Sequence, residues 1–186
     1  MYTIKRGLGW LAVVCMAGWT VACSTAQLSV APSPALDSQA SWALLPVTNH
    51  TDTPQAGLAA EALLAHALRS RGLGQLQTYP LALTKDTLFE PTERKVTEEA
   101  LKWAKAQGIR FAVTGSVQEW RYKVGIDGEP AVGMALQVVD VASGAVLWTA
   151  SGARSGWSRE ALSGVAQGMV TQLVSGLSLT AVAAAP

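Results

Sequence analysis

Cys23 is the residue whose type and position most clearly predict chemistry. A basic pair, Lys5 and Arg6, precedes an apolar run that ends with Ala22, directly before the Cys23 thiol. This layout is typical of a secretory signal, and the apolar run is too short to span a membrane. A cysteine at the cleavage point predicts that residues 1–22 are removed and that Cys23 is lipidated. Two or more acyl chains would then hold the mature protein on a membrane.

Two neighbouring residues bear on this lipoprotein interpretation. Thr20 stands where such signals usually carry an aliphatic residue, so an ordinary signal peptide with an incidental cysteine is the alternative. Ser24, rather than Asp, follows the cysteine, and this favours sorting to the outer membrane of a Gram-negative cell. The sequence therefore predicts a lipid-anchored protein on the periplasmic face of the outer membrane.

Several kinds of chemistry find no support in the sequence. Removal of the signal takes away two of the 14 basic residues and none of the 13 acidic ones, so the mature chain is near neutral and does not suggest nucleic-acid binding. Cys15 leaves with the signal and Cys23 is acylated, so no cysteine remains for a disulfide or a zinc site. His50 and His66 lie in different predicted elements and lack metal-ligand spacing. We expect no metal and no cofactor.

The predicted elements follow the order β-α-β-α-β-β-β-α. We expect residues 23–40, rich in Ser, Ala and Pro, to be a flexible linker after the lipidated cysteine. A single α/β domain is predicted over residues 41–178, with a tail at 179–186. Its mixed sheet combines a parallel pair, joined by a helical crossover, with an antiparallel meander, and helices pack the sheet.

Local patterns set the predicted boundaries of these elements. Thr53 is the expected cap of the first helix, and Ser158 that of the last. The strand starting at Phe111 changes the parity of its apolar residues, so we expect either a β-bulge near Gln118 and Glu119 or a strand that leaves the core. Asp127 and Gly128 form a strong hairpin turn signal before the next strand.

Four stretches of the sequence resemble the PelC family of outer-membrane lipoproteins from the Pel exopolysaccharide secretion system. They occur in the family's order and spacing, at residues 43–57, 113–125, 127–130 and 151–159. Less specific features are the Leu-Pro-x-x-Asn start and the Asp140 to Trp148 turn. They recur in periplasmic domains that look like the N-terminal domain of TolB, the curli secretion lipoprotein and the lipoprotein activators of peptidoglycan synthases.

The resemblance implies a non-enzymatic export component. Members of the PelC family assemble into a ring, expected to be dodecameric, below the β-barrel of the porin PelB. There they help to guide a cationic polymer into the barrel, and an acidic path would suit such a polymer. The expected partners are therefore further copies of the chain, outer-membrane lipid, PelB and the cationic exopolysaccharide in transit.

Three groups of residues are candidates for these contacts. Trp157 lies in a loop of small residues and is predicted to face lipid, with basic side chains beside it to meet phosphates; a core tryptophan capping the last helix is the alternative. Carboxylates at the predicted hairpin tip would line the polymer path, although such tips are commonly polar. Aromatic residues after the bulge are predicted at the subunit interface. The groups are Trp157 with Arg154 and Arg159, Asp127 with Glu129, and Trp120 with Tyr122.

Three other functions are weighed against the export component. A lipoprotein regulator of a cell-wall synthase would need a much longer linker than residues 24–40. A curli-type channel would need two long amphipathic hairpins in each subunit to build a membrane barrel. An enzyme acting on polysaccharide would need a placed pair of carboxylates, and no spacing in the sequence points to one.

Overall fold

The computed structural model describes residues 26–83, 93–125 and 128–181 of the chain. Three helices pack on a six-stranded sheet, and a two-stranded ribbon lies beside it. The strands are β1 (Ala26–Val30), β2 (Leu36–Asp37), β3 (Trp42–Asn49), β4 (Gln77–Thr78), β5 (Phe111–Tyr122), β6 (Pro130–Asp140), β7 (Val146–Ser155) and β8 (Leu179–Thr180). The helices are α1 (Ala56–Ser70), α2 (Glu93–Ala106) and α3 (Leu162–Ser175), and a 3-10 turn covers Leu81–Leu83.

The main sheet is mixed, as the sequence predicts. Its strand order is β1-β7-β6-β5-β3-β4, and β3 runs parallel to both β4 and β5. The β5–β6–β7 meander is antiparallel, and β1 adds to β7 in the antiparallel sense. The predicted α/β class, with helices packing a mixed sheet in a single domain, is confirmed.

The two faces of the sheet are covered unequally. Alternate side chains of β6, including Met134 and Leu136, are buried on the face where α1 and α3 pack, and Met169 and Leu173 of α3 meet them. On the other face α2 packs against β3, where Leu45 belongs to a second, smaller cluster. The part of this second face formed by β1, β7, β6 and β5 therefore stays open.

The N-terminal segment differs from its prediction. Residues 26–30 were predicted as part of a flexible linker, but they form β1, which pairs with β7 from Ala26 opposite Arg154 to Val30 opposite Ala150. The indole Nε1 of Trp148 donates a hydrogen bond to the Ala31 carbonyl at 3.1 Å. At the other terminus Leu179 and Thr180, expected in a tail, pair with β2. Both segments are ordered because distant strands satisfy their backbone groups.

The starts of two helices also differ from prediction. Helix α1 begins at Ala56, after Gln55 in a left-handed conformation (φ 60°), and no side chain caps it. The Thr53 hydroxyl, the expected cap, donates instead to the Trp120 carbonyl at 2.5 Å. Helix α3 begins at Leu162 rather than after Ser158. No local side chain caps α3 either, and its Leu162 N–H donates instead to the hydroxyl of Tyr122 in β5.

The half-buried carboxylate of Glu61 supports an irregularity in β3. The pairing of β3 with β5 shifts between Leu44 and Val47, and the Val47 N–H donates to Glu61 Oε1 at 2.8 Å. Burial raises the pKa of the Glu61 carboxyl, and this hydrogen bond partly opposes the rise. Because the unfolded chain loses this proton at lower pH, the stability contributed by Glu61 is full below the unfolded value, 4.5, and falls as the pH rises through the folded pKa.

Glu61→Gln is expected to remove this pH dependence while keeping an acceptor for the Val47 N–H. Glu61→Ala leaves that N–H without its partner and should cost about 1–3 kcal/mol relative to Glu61→Gln. Denaturant unfolding at several pH values between about 4 and 8 measures both effects. Equal stability of the two variants, or an unchanged slope with pH in Glu61→Gln, would contradict this role.

Candidate functional site

Several candidate residues meet at one end of the sheet, here called the hairpin end. The β5–β6 hairpin closes here, with Tyr122 opposite Pro130. Strand β7 ends beside it, because Ala131 pairs with Ser155, and β1 starts here, since Ala26 is opposite Arg154. The hairpin end therefore comprises Ala26 and the described residues 122–125, 128–130 and 154–157.

Trp157 extends outward from the hairpin end. Its side chain is 55% exposed, although its loop is firmly held. The Gly156 N–H donates to the Pro130 carbonyl at 2.9 Å, and the Trp157 N–H donates to Glu160 Oε2 at 2.7 Å. The alternative of a core tryptophan is therefore wrong. Contact of Trp157 with lipid remains a prediction, now with an exposed ring on a fixed loop.

The two arginines predicted beside Trp157 lie in different settings. Arg159 is exposed. Arg154 is half-buried beside Gly168 of α3, and its Nε is fully buried. This follows from strand alternation, since Arg154 shares the helix-covered face with Trp148 and Ala150. Arg154 therefore packs within the domain instead of extending from the exposed loop.

The structure corrects part of the prediction for Trp120 and Tyr122, the aromatic residues expected at the subunit interface. The bulge expected near Gln118 is confirmed, since the β5–β6 register shifts between Val117 and Glu119. The extra residue returns Trp120 to the core face, where it is 8% exposed. Trp120 therefore needs no cover from another subunit, and that expectation is wrong. Tyr122 is half-exposed, and its hydroxyl accepts a hydrogen bond from the Leu162 N–H at 3.0 Å, which anchors the start of α3.

The predicted acidic tip is only partly visible in the structure. Asp127 lies outside the described residues, whereas Gly128 has the positive φ (51°) that a tight hairpin turn requires. Glu129 Oε2 is 3.8 Å from Lys123 Nζ, and both side chains are close to half-exposed. This ion pair offsets part of the negative charge that Glu129 contributes to the tip.

A groove on the open sheet face was not anticipated from the sequence. It encloses about 1070 Å³, and Gln27, Ser29 and Ser151 are among the residues that line it, with His50 and Asp52 at its margin. The sequence did not predict this groove because one of its walls is β1, whose residues have the composition of a flexible linker. The small polar residues at alternate positions in β7, such as Thr149 and Ser151, could have indicated that this face of the strand is open.

No group of three or more His, Cys, Asp or Glu side chains within the described ranges could hold a metal ion. Among the helices of these ranges, none has the length and apolar character needed to cross a membrane.

Comparison with known proteins decides the family. No protein-family model matches the sequence, and no curated protein matches it. A solved structure of a PelC dodecamer from Paraburkholderia phytofirmans is 36% identical, with a TM-score of 0.70, and the match covers 84% of this chain and 100% of that one. The chain belongs to the PelC family. A structure of a single-substitution variant of the same PelC dodecamer matches over the same shares at 35% identity, also with a TM-score of 0.70.

A more distant structure shows how widely the fold is shared. Lipoprotein GNA1162 from Neisseria meningitidis is 20% identical, with a TM-score of 0.53, over 73% of this chain and 96% of that one. At this identity the likeness concerns the fold alone. Membership of the PelC family confirms the resemblance seen in the sequence and identifies the chain as a non-enzymatic protein of the lipoprotein class.

Trp157→Ala is expected to leave the domain folded and to weaken its binding to anionic vesicles several-fold, because an exposed indole at a membrane interface is lost. Trp148→Ala is the matched comparison, since Trp148 is buried and its loss should cost about 3–5 kcal/mol of stability. Vesicle co-sedimentation and thermal unfolding measure the two effects. Unchanged vesicle binding by a folded Trp157→Ala protein would contradict the lipid-facing assignment.

Proposed function

We propose that this PelC-family chain is a subunit of a lipid-anchored ring on the periplasmic face of the outer membrane. The ring guides a cationic exopolysaccharide to the outer-membrane porin PelB. The observation that carries the proposal is the match to the PelC dodecamer, which extends over the whole of that chain at 36% identity.

The position of β1 supports a close and oriented attachment. Cys23 precedes Ala26, the first residue of β1, by three positions, and three residues span at most about 10 Å. A lipid on Cys23 would therefore hold the hairpin end near the membrane. Trp157 extends from this same end, so the anchor and the exposed indole can meet one lipid surface together.

Two carboxylates in the stretch of sequence between β5 and β6 support a role in guiding the polymer. Asp127 and Glu129 are close in sequence, and a ring repeats them once in each subunit. A closed arrangement of carboxylates produces a local potential that a single near-neutral subunit lacks. Screening limits the reach of each charge to about 8–10 Å, so the polymer would be attracted without tight binding.

The proposal is tested in a Pel-producing bacterium whose own PelC gene is deleted. Expression of this chain should restore polymer at the cell surface, whereas the Cys23→Ser variant should not. Polymer that stays in the periplasm, although the chain is present in the outer membrane at normal abundance, would overturn the proposed function.

A further inference from the structure

The two edges of the six-stranded sheet are both open within the described residues. Strand β1 forms one edge and β4 the other. The Ala31 N–H donates to the Thr149 carbonyl at 3.0 Å. In an antiparallel pair the hydrogen-bonded positions alternate, so the odd-numbered residues of β1 form the backbone hydrogen bonds with β7. The backbone N–H and C=O groups of Leu28 and Val30 therefore point away from the sheet. An edge of this kind is a template for pairing with another chain.

Strand β1 has none of the usual protection of an edge strand. Its five residues, Ala-Gln-Leu-Ser-Val, include no charge and no proline, and all of them are exposed. The side chains of Leu28 and Val30, 37% and 38% exposed, lie beside the C-terminal part of α3, close to Leu173 and Gly176 respectively. The β1 edge thus offers unpaired backbone groups together with an apolar strip.

The opposite edge is also apolar. Strand β4 is only two residues long, and the 3-10 turn that follows it carries Leu81 and Leu83, 65% and 44% exposed. Their burial against another apolar surface would be favourable.

The geometry points to a contact between unlike edges as the subunit interface of the ring. The β1 edge of one copy, with Leu28 and Val30, packs against the β4 edge of the next copy, with Leu81 and Leu83. The two edges are five strand spacings apart, about 24 Å, and lie on opposite sides of the subunit. A contact between unlike patches is heterologous, so it repeats from copy to copy and can close into a ring.

This inference rests on the proposed ring and goes further by naming the surfaces that join the subunits. The edge contact also takes the place of Trp120 as the expected interface, because Trp120 is buried within its own subunit. Contact of two β1 edges with each other would be isologous and would give dimers only. The occupant of the β1 edge is therefore a second copy that presents its β4 edge.

Cross-linking of single-cysteine variants tests the inference directly. The chain from residue 24 onward contains no natural cysteine, so introduced thiols are unique. The Val30→Cys protein and the Leu81→Cys protein are first treated separately with a short thiol-reactive cross-linker. An equal mixture of the two is then unfolded, refolded together and treated in the same way. We expect covalent dimers only in the mixture, and a ladder of higher species when one chain carries both changes. Dimers of Val30→Cys alone, or no cross-link in an intact ring, would overturn the inference.

Charge substitutions at the same edges give an independent readout. Val30→Asp and Leu81→Asp should each convert the assembly to folded monomers. Val124→Asp, at an exposed valine that follows the central strand β5, should leave the mass of the assembly unchanged. Circular dichroism establishes that each variant is folded. A ring that survives both edge variants contradicts the inference alone, whereas a wild-type chain that stays monomeric contradicts the proposed function.

Discussion

Cys23→Ser is expected to abolish attachment of the protein to the outer membrane. The predicted lipidation would give Cys23 several acyl chains, and two or more chains hold a protein on a bilayer where one gives only marginal binding. Membrane fractionation and incorporation of labelled palmitate should show wild-type protein in the outer membrane and the variant in soluble or unprocessed form.

Ser24→Asp provides the matched control for this experiment. It keeps the lipidated thiol but changes the residue after it, so the protein should stay lipidated and remain at the inner membrane. A Cys23→Ser protein that matures and fractionates like wild type would support the ordinary signal peptide that Thr20 leaves open.

Asp127→Asn combined with Glu129→Gln is expected to reduce polymer export strongly while ring assembly and membrane attachment persist. The substitutions keep side-chain shape and remove two negative charges from each subunit, hence 12 × 2 = 24 charges from a ring of the size seen in the related dodecamer. Lys123, now 3.8 Å from the Glu129 carboxylate, would also lose its partner. Its unpaired positive charge would add repulsion toward a cationic polymer.

Glu98→Gln combined with Glu99→Gln is the matched control, because it removes the same charge from the exposed side of α2. Quantification of surface polymer should separate the two double variants. Wild-type export by the Asp127 and Glu129 variant would show that the acidic path lies elsewhere. It would then lie at Asp52 and Glu119 beside the open groove, or on α2 if the Glu98 and Glu99 variant alone loses export.

The elements best predicted from the sequence are those with long, regular apolar periods. Alternation from Val132 to Val138 places β6 correctly, because one face of that strand is buried along its length. The helical period from Leu162 to Leu173 places α3 in the same way. In both elements the local pattern and the final burial agree.

Elements that depend on distant partners were missed or shifted. Strand β1 carries neutral and small residues that read as linker, and only pairing with β7, more than 100 residues later, makes it a strand. The Thr53 hydroxyl is a plausible helix cap until the Trp120 carbonyl competes for it. Such contacts are set by tertiary structure, and no local pattern encodes them.

In the candidate site, too, some features follow from the local sequence and others depend on tertiary pairing. The lipidation signal at Cys23 and the exposed Trp157 follow from local composition. The position of Trp157 at one end of the sheet, next to the start of β1, depends on β1 pairing with β7 and on the register of the β5–β6 hairpin. The sequence therefore predicts the chemical groups, and the topology brings them together.

The native mass of the soluble chain, residues 24–186, tests the ring most directly. Light scattering after size-exclusion chromatography, at tens of micromolar protein and without lipid, should give one species with a mass about twelve times that of a single chain, as in the related dodecamer. A monodisperse monomer under these conditions would contradict the proposal that this protein works as a ring.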